Sequence, residues 1–254
     1  MAIERYGRRA RRFHTAVYVL ILLLLFTGWW LLVGREGEPS VLARAIGQPD
    51  AAIHQWIGWG LVALATGPIL LGRRGIATFT RETLRFDRDD ATWLVRWPRS
   101  VLTGHFAWHE GHFDPGQRVA NVAMVSGLAI LIGSGGGLAL VSGGTAFVWL
   151  HRVHTWATII LTPIIGGHVL VAAGVLPGYR GVWRSMHLGG HLRVDTARRL
   201  WPGWTERTLA DARGGLDGPD GVRSIAAHVR SPSRVTDLKD TLKNSACPRR
   251  ARQR

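Results

Sequence analysis

Four apolar segments, at about 14–33, 54–72, 119–141 and 149–176, dominate the chain. Each approaches the roughly 20 residues that a helix needs to cross a bilayer. Lipid offers no partner to backbone N–H and C=O groups, so such stretches fold as helices that satisfy themselves. The second is the shortest and contains Pro68. The expected fold is therefore an all-α membrane protein, a bundle of four transmembrane helices occupying residues 1–204, followed by a largely disordered polar tail at 205–254 that is rich in Gly, Pro and Ser. The basic start ERYGRRARRF looks like an export signal, but its apolar core runs into Gly28, Trp29 and Trp30 and three more spans follow. It reads as a retained first span.

Of the 254 residues, 46% are hydrophobic, yet the net charge is +15. In a soluble protein that charge suggests nucleic acid. Here the arginines flank apolar spans, and the membrane explains them without nucleic acid. Arg5, Arg8, Arg9, Arg11 and Arg12 precede the first span, and eight arginines fill the second connection, from Arg73 to Arg118. The third connection, VSGGTAF, has none, and the tail is arginine-rich. The positive-inside rule places the N-terminus, the second connection and the C-terminus in the cytoplasm. Trp29, Trp30, Trp56, Trp59 and Trp149 then fall near the external ends, as interfacial aromatics do.

Within the second connection, 76–86 (IATFTRETLRF) reads as a short amphipathic helix on the cytoplasmic membrane surface. Residues 105–117 read as an irregular, Gly/Pro-punctuated lead into the third span. The GSGGG run at 133–137 lies inside an apolar span, where close helix packing is expected rather than a phosphate loop. The single cysteine, Cys247, allows neither an internal disulfide nor a cysteine-ligated cluster.

Ionisable residues inside spans mark function. His154 and His168 share the fourth span, fourteen residues apart, which on a helix is about 21 Å of rise and about 40° of rotation. They occupy nearly one face at two depths. His14 begins the first span on the cytoplasmic side, and His54 begins the second on the external side. Depth pairs His54 with His154 and His14 with His168. Two neutral imidazoles facing one another across a porphyrin make a six-coordinate haem suited to electron transfer, and bundle cores build such sites. His151 lies one turn before His154 and competes with it; register with His168 favours His154.

With these histidines in order, the chain resembles the b-type cytochrome (gamma) subunit of membrane-bound formate dehydrogenases, within the wider family of hydrogenase and thiosulfate reductase cytochromes b. The likeness runs from about residue 10 to 205. FDPGQR at 113–118 resembles that family's YNAGQK segment, and SMHLGGHLRVDTARRLWPGW at 185–204 resembles its closing Pro-x-Trp pattern, although the paired histidines before that motif read Arg-Leu here. The resemblance implies two haem b groups on the four histidines. It also implies a menaquinone or ubiquinone site near Asp114, Gly116 and Gln117, beside His168. Asp114 stands where the family has Asn. An ionised carboxylate cannot donate to a quinone carbonyl, but a protonated one can deliver a proton.

The resemblance further implies a multi-pass subunit of the bacterial plasma membrane. It would take electrons from an external iron–sulfur (beta) subunit, with formate oxidised in a molybdenum- or tungsten-containing (alpha) partner, and pass them to quinone. The rivals are a nickel–iron hydrogenase or thiosulfate reductase cytochrome, and a haem-free transporter or scaffold whose histidines bind metal or protons.

Overall fold

The computed structural model describes residues 1–34, 38–71 and 73–214. In chain order it comprises β1 (Ala2–Glu4), α1 (Arg8–Val33), α2 (Val41–Ile46), α3 (Asp50–Leu71), α4 (Arg73–Thr83), α5 (Arg88–Thr103), α6 (Pro115–Leu140) and α7 (Gly144–Ala172). A 3₁₀ turn (Pro177–Tyr179), α8 (Arg184–His187), β2 (His191–Arg193), α9 (Val194–Leu200) and α10 (Pro202–Gly214) complete it.

Among the described residues, α1, α6 and α7 are long and apolar enough to cross a membrane. Their large side chains, Phe26, Val125, Trp156 and Ile160 among them, face outward. In water that much exposed apolar surface is a liability; in lipid it matches the solvent. The fourth expected span falls on α3, which packs along α1 and also meets α6. The end of that expected segment, Gly72, and the side chains of 68–71 lie outside the described residues.

Each long helix begins four to six residues before its expected apolar start, because hydropathy marks only the lipid-facing part. α6 begins at Pro115 because Asp114 caps it, accepting the Gln117 N–H at 2.8 Å, and proline suits the first helical position. α7 stops at Ala172 rather than 176: Gly174 takes a left-handed φ of 69°, and Pro177 bars continuation.

The arginine-rich segments gather at one end of the long helices and form a cap with its own core. β1 pairs antiparallel with β2, Ile3 opposite Leu192. Gly190, at φ 83°, makes the turn beside them, where a Cβ would collide with the Tyr6 carbonyl oxygen. Ile3, Val101, Tyr179, Leu192, Leu200 and Trp201 bury together.

Three expectations are revised here. The surface helix expected at 76–86 runs over Arg73–Thr83 and is followed by an unanticipated helix, α5. α5 starts where the Asp87 N–H donates to the Asp90 carboxylate at 3.0 Å, and it buries Trp93. The irregular lead expected at 105–117 ends at Asp114, since Pro115, Gly116 and Gln117 already belong to α6. The boundary expected at 204/205 is crossed by α10, because Thr205 and Leu209 pack into the cap. The expected disorder beyond Gly214 lies outside the described residues.

Arg118, in the first turn of α6, is fully buried and ties the cap to the bundle. Its guanidinium donates to the Asp90 carboxylate at 2.7 Å and to the carbonyls of Arg85, Phe113 and Glu110. Removing one member of a buried pair leaves the other uncompensated. Asp90→Ala should cost about 3–5 kcal/mol, read by denaturant unfolding followed through tryptophan fluorescence. Glu206→Gln, which breaks the half-exposed Arg198–Glu206 pair, should cost under about 1 kcal/mol.

Candidate functional site

His54 on α3 and His154 on α7 lie with ring centres 6.1 Å apart, at the end of the bundle away from the cap. Two hydroxyls define their chemistry. Thr27 donates its O–H to the Leu23 carbonyl at 2.8 Å, so its oxygen accepts from His54 Nδ1, also at 2.8 Å. Ser134 donates to the Ile130 carbonyl at 2.7 Å and accepts from His154 Nδ1 at 3.0 Å. Both imidazoles are thereby assigned as the tautomer with Nδ1 protonated and an uncommitted lone pair on Nε2. That is the form in which histidine ligates a metal.

Each hydroxyl is followed by a glycine that admits the ring it holds. A Cβ on Gly28 would sit 3.2 Å from His54 Cε1, and one on Gly135 would sit 3.0 Å from His154 Cε1. The dipeptides Thr27-Gly28 on α1 and Ser134-Gly135 on α6 are thus the same device used twice. The GSGGG run, expected to serve packing, does so at Gly137 against Leu150 and also seats a histidine.

His14 on α1 and His168 on α7 form a second pair near the cap, ring centres 6.3 Å apart. His14 Nδ1 is buried with no hydrogen-bond partner among the described residues. Tyr18 packs on His14 at 5.7 Å and on His187 at 5.9 Å, which brings a fifth histidine to this end. Between the two levels, Trp29 Nε1 donates to Thr162 Oγ1 at 3.1 Å and joins α1 to α7. His151 is exposed and stacks on Phe147 at 6.4 Å.

Both pairs fit a metal held between two imidazoles. A metal–nitrogen bond of about 2 Å on each side, with about 1 Å from ring nitrogen to ring centre, puts two such rings about 6 Å apart. Among the described residues no three metal-ligating side chains cluster. A metal held by either pair would have two protein donors there and would need its remaining donors from elsewhere, as a porphyrin would provide.

The residues expected at a quinone site lie in the cap beside the start of α1. Asp114 is buried as the α6 N-cap; burial pushes its carboxyl up to about 6 against the opposing pull of the Gln117 N–H, Arg5 and Arg118. Gln117 Nε2 approaches the Tyr6 hydroxyl at 3.5 Å, while its Oε1 is buried with no partner among the described residues. Gly116 packs beneath Trp93, whose ring a Cβ would meet at 3.0 Å. No hydrogen bond links Asp114 or Gln117 to His14 or His168 among the described residues.

Arg5 closes this corner. It is buried between Trp201 and Trp204 at 4.3 Å from each ring, and it donates to the His112 carbonyl and, at 3.1 Å, to His112 Nδ1. Burial and Arg5 hold His112 down at about 3, and burial holds His109 at about 4. Both stay neutral near pH 7.

The hydroxyl and glycine partners were not read from the sequence, where Thr or Ser in a span looks like ordinary helix packing; a hydroxyl-Gly dipeptide on each helix neighbouring a histidine helix was the available signal. Thr27→Val with Ser134→Ala should weaken cofactor retention at the His54/His154 pair by about 10–100-fold, read as haem b per chain, while His151→Ala should leave it unchanged.

No curated protein matches this sequence. The family model for prokaryotic cytochrome b561 matches residues 5–189, most of the chain and every histidine of both pairs. Such membership carries haem b and electron transfer in a bacterial membrane: the chain belongs to the prokaryotic cytochrome b561 family.

Proposed function

We propose that the chain is the four-span, di-haem membrane subunit of a formate dehydrogenase complex, delivering electrons from an external iron–sulfur subunit to menaquinone or ubiquinone on the cytoplasmic side. The observation that carries this reading is the two-level placement of the histidines, with ring centres 6.1 and 6.3 Å apart within the pairs. The FDPGQR segment at 113–118 favours formate dehydrogenase over hydrogenase as the parent complex.

His54 and His154 would hold the external group, with Thr27 and Ser134 fixing their tautomer. His14 and His168 would hold the cytoplasmic one. Haem b supplies reversible one-electron chemistry when bound; the chain supplies orientation, depth and exclusion of water. The Gln117 Oε1, unpartnered among the described residues and buried, is an acceptor for a quinol hydroxyl. Asp114, with its pKa raised to about 6, takes up a proton as the pH falls toward that value and can then release it to a reduced quinone oxygen. Its neighbours His109 and His112 titrate too low to do so near neutrality.

A reduced-minus-oxidised spectrum with pyridine haemochrome quantitation should give two haem b per chain, and His168→Ala should give one. Two haems retained in His168→Ala would overturn the ligand assignment, and an absence of haem absorbance in the wild type would favour a transporter or scaffold. Copurification with a molybdenum or tungsten enzyme tests the formate assignment; a nickel–iron partner would replace it.

Asparagine caps helices as well as aspartate does, so Asp114→Asn separates capping from proton transfer. A group that donates its proton acts only while protonated. Quinone-dependent reoxidation of the reduced wild type should therefore fall as pH rises through about 6, and Asp114→Asn should lose that step. Retention of the same pH step in Asp114→Asn would remove Asp114 from the proton path.

A further inference from the structure

The first turns of α1 carry Arg8, Arg9, Arg11 and Arg12, with no acidic residue in the first turn and no side-chain cap at Gly7. A helix N-terminus already bears a partial positive charge, so this clustering is electrostatically unfavourable in isolation. None of Arg8, Arg11 and Arg12 pairs with a carboxylate among the described residues, and Arg11 Nε is buried without a partner there. These three arginines rim a groove of about 840 Å³. Below the rim the groove turns apolar, walled by Val19 and Leu20 of α1 and Leu64 of α3.

We propose that this groove binds one anionic phospholipid, its phosphate among Arg8, Arg11 and Arg12 and an acyl chain along Val19, Leu20 and Leu64. Charge complementarity selects an anion. Shape selects a lipid over free phosphate: Leu20 lies twelve residues after Arg8 on one continuous helix, about 18 Å further along. A free phosphate needs only the rim and would leave the apolar depth unused. The rim is at the cap end, where the other arginine-rich segments also gather and where anionic headgroups attract juxtamembrane basic residues. The bound phosphate offsets both the arginine repulsion and the helix dipole, and the site does not depend on the number of haems.

The test is native mass spectrometry of the full chain, released from micelles doped with phosphatidylglycerol or with phosphatidylcholine. Wild type should retain one phosphatidylglycerol and should not retain phosphatidylcholine. Retention should weaken about fivefold for each arginine neutralised in Arg8→Gln, Arg11→Gln and Arg12→Gln. Gly60 borders the groove with open space at its Cβ position, so Gly60→Phe should fill the apolar depth and expel the lipid with all arginines intact. The haem absorption spectrum, whose ligands these variants leave untouched, reports that each has folded. Equal retention of both lipids, undiminished retention in Gly60→Phe, or displacement by inorganic phosphate alone would overturn the proposal. Loss of haem rather than lipid in the arginine variants would also overturn it, by giving the groove to the cofactor.

Discussion

The buried Arg118 guanidinium fixes the rest of this molecule. Lipid tails are as apolar as the helix faces, so the hydrophobic effect gives long apolar helices little reason to choose one neighbour over another. Something polar or aqueous must set their positions. Arg118 stands in the first turn of α6 and reaches Asp90 on α5, the Arg85 carbonyl after α4 and two carbonyls of the incoming loop. One cation with no exposed surface thereby anchors a membrane helix to three cap segments. The cap's apolar core then holds the start of the chain against the segment after α7 through the β1–β2 pair. α1, α6 and α7 leave the cap from defined points, and histidines far apart in sequence meet because of that.

Within the bundle the fixing interactions are few and polar. Thr27 holds His54, Ser134 holds His154, and Trp29 binds Thr162. Each hydroxyl also donates back to its own helix, which satisfies it fully and leaves a directed acceptor for its neighbour. A glycine comes next at 28 and at 135 because the ring it admits approaches too closely for a Cβ. The result is a pair of imidazoles whose protons are committed away from each other.

The sequence carried the parts of this arrangement that depend on composition along one helix. Apolar runs marked the long helices, arginines marked the end that became the cap, and fourteen residues of helix put His154 and His168 at two levels. Features assembled across the chain were not legible in that way. Ile3 meets Leu192 through strands of three residues, too short to show alternation. The α5 helix hides behind its arginines and Pro98. Leu209 looks like a tail residue until Trp201 and Leu200 are seen beside it. Asp114 stood out in the sequence only as a carboxylate where the resembled family has Asn; its capping bond and its burial come from the fold around it.

The two histidine pairs differ in a way that bears on direction. The pair far from the cap has both Nδ1 atoms hydrogen-bonded, so its rings have one tautomer and little freedom. The pair near the cap has a His14 Nδ1 unpartnered among the described residues, and aromatic neighbours, Tyr18 and His187, in place of hydroxyls. A ligand whose second nitrogen donates to a hydroxyl is more basic and more rigidly aimed than one without that partner. Stronger donation stabilises an oxidised metal, and a pair lacking it favours the reduced one. On the proposed haem assignment this asymmetry inclines electrons toward the cap, where Gln117 Oε1 is buried without a described partner and burial raises the Asp114 carboxyl to about 6. On that proposal the downhill direction and the Asp114 carboxyl lie at the same end of the bundle, as quinone reduction there would require.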